Sequence, residues 1–111
     1  MGLFDAFRRD PATWQPPRGV PSPDEPHDLA LYKYDACPYC QVVLRALGNL
    51  EVEVELRDTM RDPEHRRGLM QATGRTQVPC LFIDDTPLFE STDIRAWLEA
   101  YAVRGGRAST T

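Results

Sequence analysis

Two cysteines with two residues between them, in Cys37-Pro38-Tyr39-Cys40, are the side chains of this 111-residue chain best suited to chemistry. A thiolate is the attacking species in disulfide exchange and also a soft metal ligand. At this spacing on a helix the second sulfur lies about one turn from the first, on the same side. It can then displace whatever the first has captured. The same spacing is half of a zinc site, which needs two further Cys or His ligands. His27 and His65 stand alone, and the third cysteine, Cys80, has no cysteine near it, so no metal is expected. Three cysteines are an odd number and too few for a secreted disulfide framework. In a reducing compartment the pair points to catalysis, with two buried structural cysteines as the plain alternative.

The elements around the pair decide how the sulfurs are held. Residues 29–34 alternate apolar with other side chains and run into the motif, as a strand does. From Pro38 to about Leu50, Val43, Leu44, Leu47 and Leu50 recur at helical spacing. Pro38 suits the first turn of that helix, and Gly48-Asn49 is its expected exit. Residues 51–57 alternate strictly, a half-buried strand, and residues 63–73 form a polar helix stopped at Gly74. Residues 80–84 and 87–90 are two apolar runs split by Asp84-Asp85-Thr86, a hairpin signal. Ser91 or Thr92 then caps a last helix with Ile94, Trp97, Leu98 and Tyr101 on one face. The order is strand, helix, strand, helix, strand, strand, helix. The first two strands should be parallel with a right-handed crossover, and the closing hairpin antiparallel. This is an α/β domain over residues 28–104.

In that order Cys37 falls where the first strand feeds the first helix. Unpaired N–H groups and the helix dipole stabilise an anion there, and can lower a cysteine pKa from about 8.5 to between about 3.5 and 7.5. Cys37, at the helix start, is the less buried and the expected nucleophile. Cys40, inside the first turn, is the expected resolving thiol. Asp35 opposes a thiolate and Lys33 favours one, according to which reaches the sulfur. Pro79 opens an apolar strand, which marks a strand start or a cis bond. If cis, it turns the backbone of Val78 outward, free to pair with an extended peptide-like ligand. Cys80 reads as a small core residue.

Size and composition fit one soluble domain, with 41% hydrophobic and 27% charged residues. A net charge of -4 argues against a nucleic-acid partner, which needs a concentrated basic face. No apolar run approaches the ~20 residues of a membrane span. Residues 1–9 lack the pattern of a secretory signal, so the expected location is cytoplasmic. Twelve of the 13 basic residues are arginine, a compositional habit that carries no functional reading. Six of the ten prolines lie between Pro11 and Pro26, which predicts an extended or disordered arm over residues 1–27. Leu3, Phe4 and Phe7 would form one face of a short helix ahead of it, and a frayed tail is expected from residue 105.

From about Leu29 to Tyr101 the chain resembles the glutaredoxins. The matching pieces are Cys37-Pro38-Tyr39-Cys40, which is their dithiol motif, then Thr73-Gly74-Arg75-Thr76-Gln77-Val78-Pro79, and Thr92-Asp93 at the last helix. The stretch from Pro87 to Ile94 is also similar to the N-terminal domain of glutathione transferases, where a Glu-Ser pair like Glu90-Ser91 holds the γ-glutamyl end of glutathione. The resemblance implies a thioredoxin fold, a βαβαββα chain with a mixed four-stranded sheet flanked by helices. It also implies a cis Pro79 and a glutathione groove beside Cys37, lined by Tyr39, Arg66, Val78, Pro79, Ser91, Thr92 and Asp93. Val78 would offer its backbone to the glutathione cysteine. Thr92 and Asp93 would hold the γ-glutamyl carboxylate and amine, and Arg66 the glycyl carboxylate. The plain reading of Arg66 is a solvated helix charge. The chain departs from the family pattern in Tyr34, where many members have lysine, in Gln77 for threonine, and in Glu90-Ser91 where a Gly-Gly pair is common.

The function implied is glutathione-dependent reduction of protein disulfides and glutathione mixed disulfides, with glutathione as co-substrate. Two other readings remain open. One is a dithiol reductase fed by a thioredoxin-reductase-type donor. The other is a glutathione-binding or iron–sulfur scaffold module without turnover, since soft sulfur suits iron.

Overall fold

The computed structural model describes residues 10–105. The expected helix at Leu3, Phe4 and Phe7 lies outside them, as does nearly all of the C-terminal tail. The elements are β1 (Leu29–Lys33), α1 (Pro38–Asn49), β2 (Glu55–Asp58), α2 (Pro63–Thr73), β3 (Cys80–Ile83), β4 (Thr86–Leu88) and α3 (Ser91–Arg104). The sheet order is β2-β1-β3-β4. β1 and β2 are parallel and β3–β4 antiparallel, as the element order predicts, and β1 also pairs antiparallel with β3.

Alternation along the central strands divides the interior into two layers. Leu29 and Leu31 of β1, with Leu81 and Ile83 of β3, face Val43 of α1 and Ile94, Trp97, Leu98 and Tyr101 of α3 in the main core. Tyr32 and Cys80 face the other way, against Leu69 of α2 and the half-buried Val78, Phe82 and Phe89. Every residue of β1 is buried, because it has a strand on each side and helices on both faces.

Three sequence expectations need correction. The alternating run 51–57 forms a ladder only from Glu55, because β1 begins its pairing at Ala30↔Glu55 and offers the earlier residues no partner. Val52 and Val54 still pack on the core from outside the strand. α1 runs through Gly48 and Asn49 and ends at an extended Leu50, whose N–H reaches the Leu47 carbonyl at 3.2 Å. Leu50 packs on the core, so the chain leaves straight rather than through a left-handed glycine. α2 does end on left-handed Gly74 (φ 80°), and Asp62 caps its start by accepting from the Glu64 N–H. The cap of α3 is neither Ser91 nor Thr92 but Glu90, at φ 72° and with no side-chain cap bond; Ser91 is already helical.

The proline-rich segment is extended but not loose. Trp14 and Val20 pack on the main core, and Pro23 is fully buried. The Trp97 indole N–H donates to the Pro21 carbonyl (2.8 Å), and the His27 N–H to the Tyr101 hydroxyl (3.1 Å). Arg104 donates to Asp24 (2.6 Å) and to the Trp14 carbonyl (2.5 Å). Six residues of α3 are buried (Ile94, Ala96, Trp97, Leu98, Ala100 and Tyr101), more than one stripe facing the sheet needs. α1 and the segment supply the further cover, so residues 10–28 and the α/β unit share one core.

Candidate active site

Strand register gathers the candidate residues at one end of the sheet. Tyr32 pairs with Cys80, so the loop following β1 and the residues preceding β3 lie together. Leu88 pairs with Leu81, which brings the residues following β4 to the same end. Cys37, Tyr39 and Cys40, then Val78-Pro79, then Ser91, Thr92 and Asp93 therefore share it. The Val78–Pro79 bond is cis.

The cysteine loop is tied by its own backbone. The Cys37 N–H donates to the Tyr34 carbonyl (3.2 Å), the Gln41 N–H to the Cys37 carbonyl (3.0 Å), and the Gln41 side-chain amide to the Asp35 carbonyl (2.5 Å). Cys37 is the N-cap of α1, with Pro38 in the first turn, and its Sγ accepts the Cys40 N–H at 3.4 Å. Both thiols are free and buried, Cys37 with 5% exposure and Cys40 with none. Burial pushes the Cys40 thiol up to about 12, and the neighbouring Cys37 sulfur adds to the rise. The Tyr34 backbone and the Lys33 charge act against it. Tyr39, between the two cysteines, projects outward with 66% exposure.

Lys33 does not pair with a cysteine. Its ammonium contacts Asp35 (2.6 Å) and Asp58 (3.3 Å), and Arg61 approaches both carboxylates at 3.7 and 3.8 Å. The hydrogen bond to Asp35 does most to raise Lys33 above its usual range; burial opposes it and Asp58 assists. Asp58 is held low: burial opposes its charge, but the N–H groups of Arg61 and Met60 and the Lys33 ammonium outweigh it. Of the two charges flanking the motif, each thus neutralises the other. Asp58 escaped the sequence reading because it lies one residue beyond the alternating run. Only the parallel register Lys33↔Asp58 reveals the pairing.

Cys80 is fully buried beside Tyr32 and Leu69, and burial pushes its thiol up to about 12. Arg66 is exposed on α2, and among the described residues no ion pair holds it. A different arginine is held close in sequence to Val78-Pro79. Arg75 lies over the Phe89 ring with its guanidinium carbon 4.5 Å from the centroid, and donates to the Gln77 side chain at 3.0 Å. That stack joins residues fourteen apart and has no sequence signal. Among the described residues no cluster of three His, Cys, Asp or Glu side chains could hold a metal ion, and no helix is long and apolar enough to cross a membrane.

The glutaredoxin family model matches residues 29–88. No protein of curated function matches the sequence. Among solved structures, a glutaredoxin from Brucella melitensis is 25% identical, with a TM-score of 0.53 over 76% of this chain and 97% of that one. The holo form of glutaredoxin C1 from Populus tremula x tremuloides is 15% identical, with a TM-score of 0.57 over 77% and 87%. A glutathione transferase homologue from Drosophila mojavensis, solved with bound glutathione, is 23% identical with a TM-score of 0.58 over 68% of this chain. This chain spans only 36% to 39% of the length of the transferases it matches. Sheet order and helix placement are those of the thioredoxin fold in its glutaredoxin form. With residues 29–88 of its 111 matched, the chain belongs to the glutaredoxin family.

Proposed function

We propose that the protein is a glutathione-dependent thiol–disulfide oxidoreductase that reduces protein disulfides and glutathione mixed disulfides. The observation that carries this reading is Cys37 Sγ at the N-cap of α1, accepting the N–H of a second buried cysteine one turn on. Helix N–H groups facing a sulfur favour its thiolate, and a thiolate is what disulfide exchange requires.

On a glutathionylated client, the Cys37 thiolate attacks the glutathione sulfur. The Cys37–glutathione bond forms, the client disulfide breaks, and the client leaves as a thiolate that takes a proton. A second glutathione thiolate then attacks the bound glutathione sulfur, releasing glutathione disulfide and restoring Cys37. On a protein disulfide, Cys37 takes one sulfur and Cys40, after losing its proton, displaces it. Two glutathiones then reduce the Cys37–Cys40 disulfide, supplying the two electrons. In this reading Val78, beside Pro79, offers its backbone to the glutathione cysteine, and Ser91, Thr92 and Asp93 in the first turn of α3 hold the γ-glutamyl end. Tyr39 lies along the ligand, and Arg66 takes the glycyl carboxylate. A dithiol kept reduced belongs in a reducing compartment, which fits a cytoplasmic location.

A glutathione-coupled turnover assay on wild type, Cys37→Ser and Cys40→Ser tests the reading. Cys37→Ser should lose all turnover, while Cys40→Ser keeps deglutathionylation and loses most protein-disulfide reduction. Full turnover by Cys37→Ser, or reduction supported only by a thioredoxin-reductase-type donor, would overturn it.

A further inference from the structure

Most cations of the described residues are neutralised by carboxylates. Lys33 and Arg61 pair with Asp35 and Asp58, Arg57 with Glu55, Arg67 with Glu64, Arg95 with Glu99 and Arg104 with Asp24. Four arginines among them have no carboxylate partner: Arg18, Arg45, Arg66 and Arg75. Of these four, only Arg75 is fixed by an aromatic ring. The Phe89 face holds one side of its guanidinium and Gln77 takes one N–H, which leaves further N–H donors at an exposed edge.

Its position gives this charge a use. Arg75 lies between the end of α2 and Val78-Pro79, and Phe89 directly precedes Glu90-Ser91, so the stack stands at the Cys37 end of the sheet. Two large apolar side chains are also exposed at this end, Tyr39 (66%) and Met60 (71%). Exposed aromatic and apolar groups at the same end of the sheet as an immobilised, unneutralised arginine are features of a surface that meets a polypeptide. Arginine fixed by a ring loses little side-chain freedom on meeting a carboxylate. In a chain of net charge -4, an arginine without a carboxylate partner at the Cys37 end gives an acidic client a local attraction there.

We infer that Arg75 selects disulfide-bonded clients that carry an aspartate or glutamate beside the reacting cysteine. The inference rests on Cys37 as the nucleophile, taken from the functional reading above, and not on glutathione as the donor.

The test uses the full chain with Cys40→Ser, so that a captured peptide is not released. Two cysteine peptides, differing only in Glu or Gln beside the cysteine, carry a neutral 2-pyridyl disulfide. The Cys37 thiolate attacks the peptide sulfur, the pyridyl disulfide bond breaks, and 2-thiopyridone leaves with a proton and is read by its absorbance. The Glu peptide should react about 1.5- to fivefold faster, the range that an exposed ion pair supports. Added salt should shrink the preference. Adding Arg75→Gln should abolish it, while Arg45→Gln, an equal change in net charge on α1, should leave it intact. Equal rates for the two peptides, or a preference that survives Arg75→Gln, would overturn the inference. Failure to capture either peptide would overturn it together with the nucleophile assignment. Capture with the preference but no turnover with glutathione would leave this inference standing and overturn the donor alone.

Discussion

The backbone N–H of Cys40 points at Cys37 Sγ across 3.4 Å, so the two cysteines are coupled before any disulfide forms. Burial pushes the Cys40 thiol up to about 12, and the Cys37 sulfur adds to the rise. The pair is asymmetric in access too: Cys37 keeps 5% exposure and Cys40 none.

That asymmetry makes the resolving step pH-dependent. Well below its pKa, the thiolate fraction of Cys40 grows tenfold per pH unit, and exchange rates follow the thiolate. Peptide release from a preformed Cys37–peptide disulfide should accelerate about tenfold per unit between roughly pH 6 and 9. Stopped-flow measurement of the released thiol reads this. A rate that levels off near neutrality would mean that Cys40 ionises far more easily than its burial implies.

His27 couples the proline-rich segment to the β3–β4 turn. Its Nδ1 lies 2.8 Å from Asp84 and its Nε2 2.7 Å from the Ser22 carbonyl, two acceptors that only a doubly protonated ring satisfies. Burial lowers its pKa, but the hydrogen bonds to Asp84 and Ser22, with the charges of Asp84 and Glu25, outweigh this and raise it above 6.5. A raised histidine stabilises fully below its unfolded pKa and loses that contribution as pH climbs through the folded one. Asp84 is held below 3.8, first by His27, so its contribution is present above 3.8 and fades on acidification. Other charges nearby are Asp24, Asp28 and Arg104, with the Tyr101 hydroxyl on α3. Urea unfolding should show His27→Gln less stable than wild type by about 1 kcal/mol near pH 5, a modest figure because Asp84 is half exposed. The gap should narrow above about pH 7.

The segment docked on α3 also makes a stability prediction. Trp97→Phe removes the indole N–H that reaches the Pro21 carbonyl and leaves a smaller ring in a fully buried site, at a cost of at least about 1–2 kcal/mol. A chain starting at residue 28 should expose Trp97 and bind a hydrophobic dye. Equal stability of the truncated and full chains would show that the α/β unit needs no such cover.

Glu90 holds a positive φ of 72° at the N-cap of α3, a conformation that costs a side-chain-bearing residue about 1–3 kcal/mol. Glu90→Gly should raise stability by roughly 1 kcal/mol, after allowing for the greater freedom of glycine in the unfolded chain. If Glu90 helps to hold the γ-glutamyl end, the same variant should show a higher KM for glutathione. Thermal unfolding and steady-state kinetics on one preparation read both effects.

Where hydrophobic period and punctuation agree, the sequence is legible. The apolar spacing of α1, the Pro63 start and Gly74 stop of α2, and the hairpin across Asp84-Asp85 are local signals, and the order of elements along the chain follows from them. The cysteine pair and Pro79 are equally plain, because their meaning resides in spacing and residue type. What escaped needs register or distance. The shortened β2 depends on where β1 begins, and the docking of the proline-rich segment depends on a helix more than 70 residues on. The Glu90 cap went unseen because serine and threonine are the usual caps and a glutamate at positive φ has no sequence signature. Arg75 stands in the stretch that leads to Val78-Pro79, but its sequence position alone says nothing of the Phe89 ring beneath it.

Competitive alkylation tests the division of labour between the two cysteines most directly. The reduced protein is treated with limiting iodoacetamide across a range of pH, and the modified positions are quantified by mass spectrometry. Cys37 should be modified at least about tenfold faster than Cys40 at neutral pH, with Cys80 unreacted until the protein unfolds. Equal rates at positions 37 and 40, or faster modification of Cys40, would contradict the assignment of Cys37 as the nucleophile.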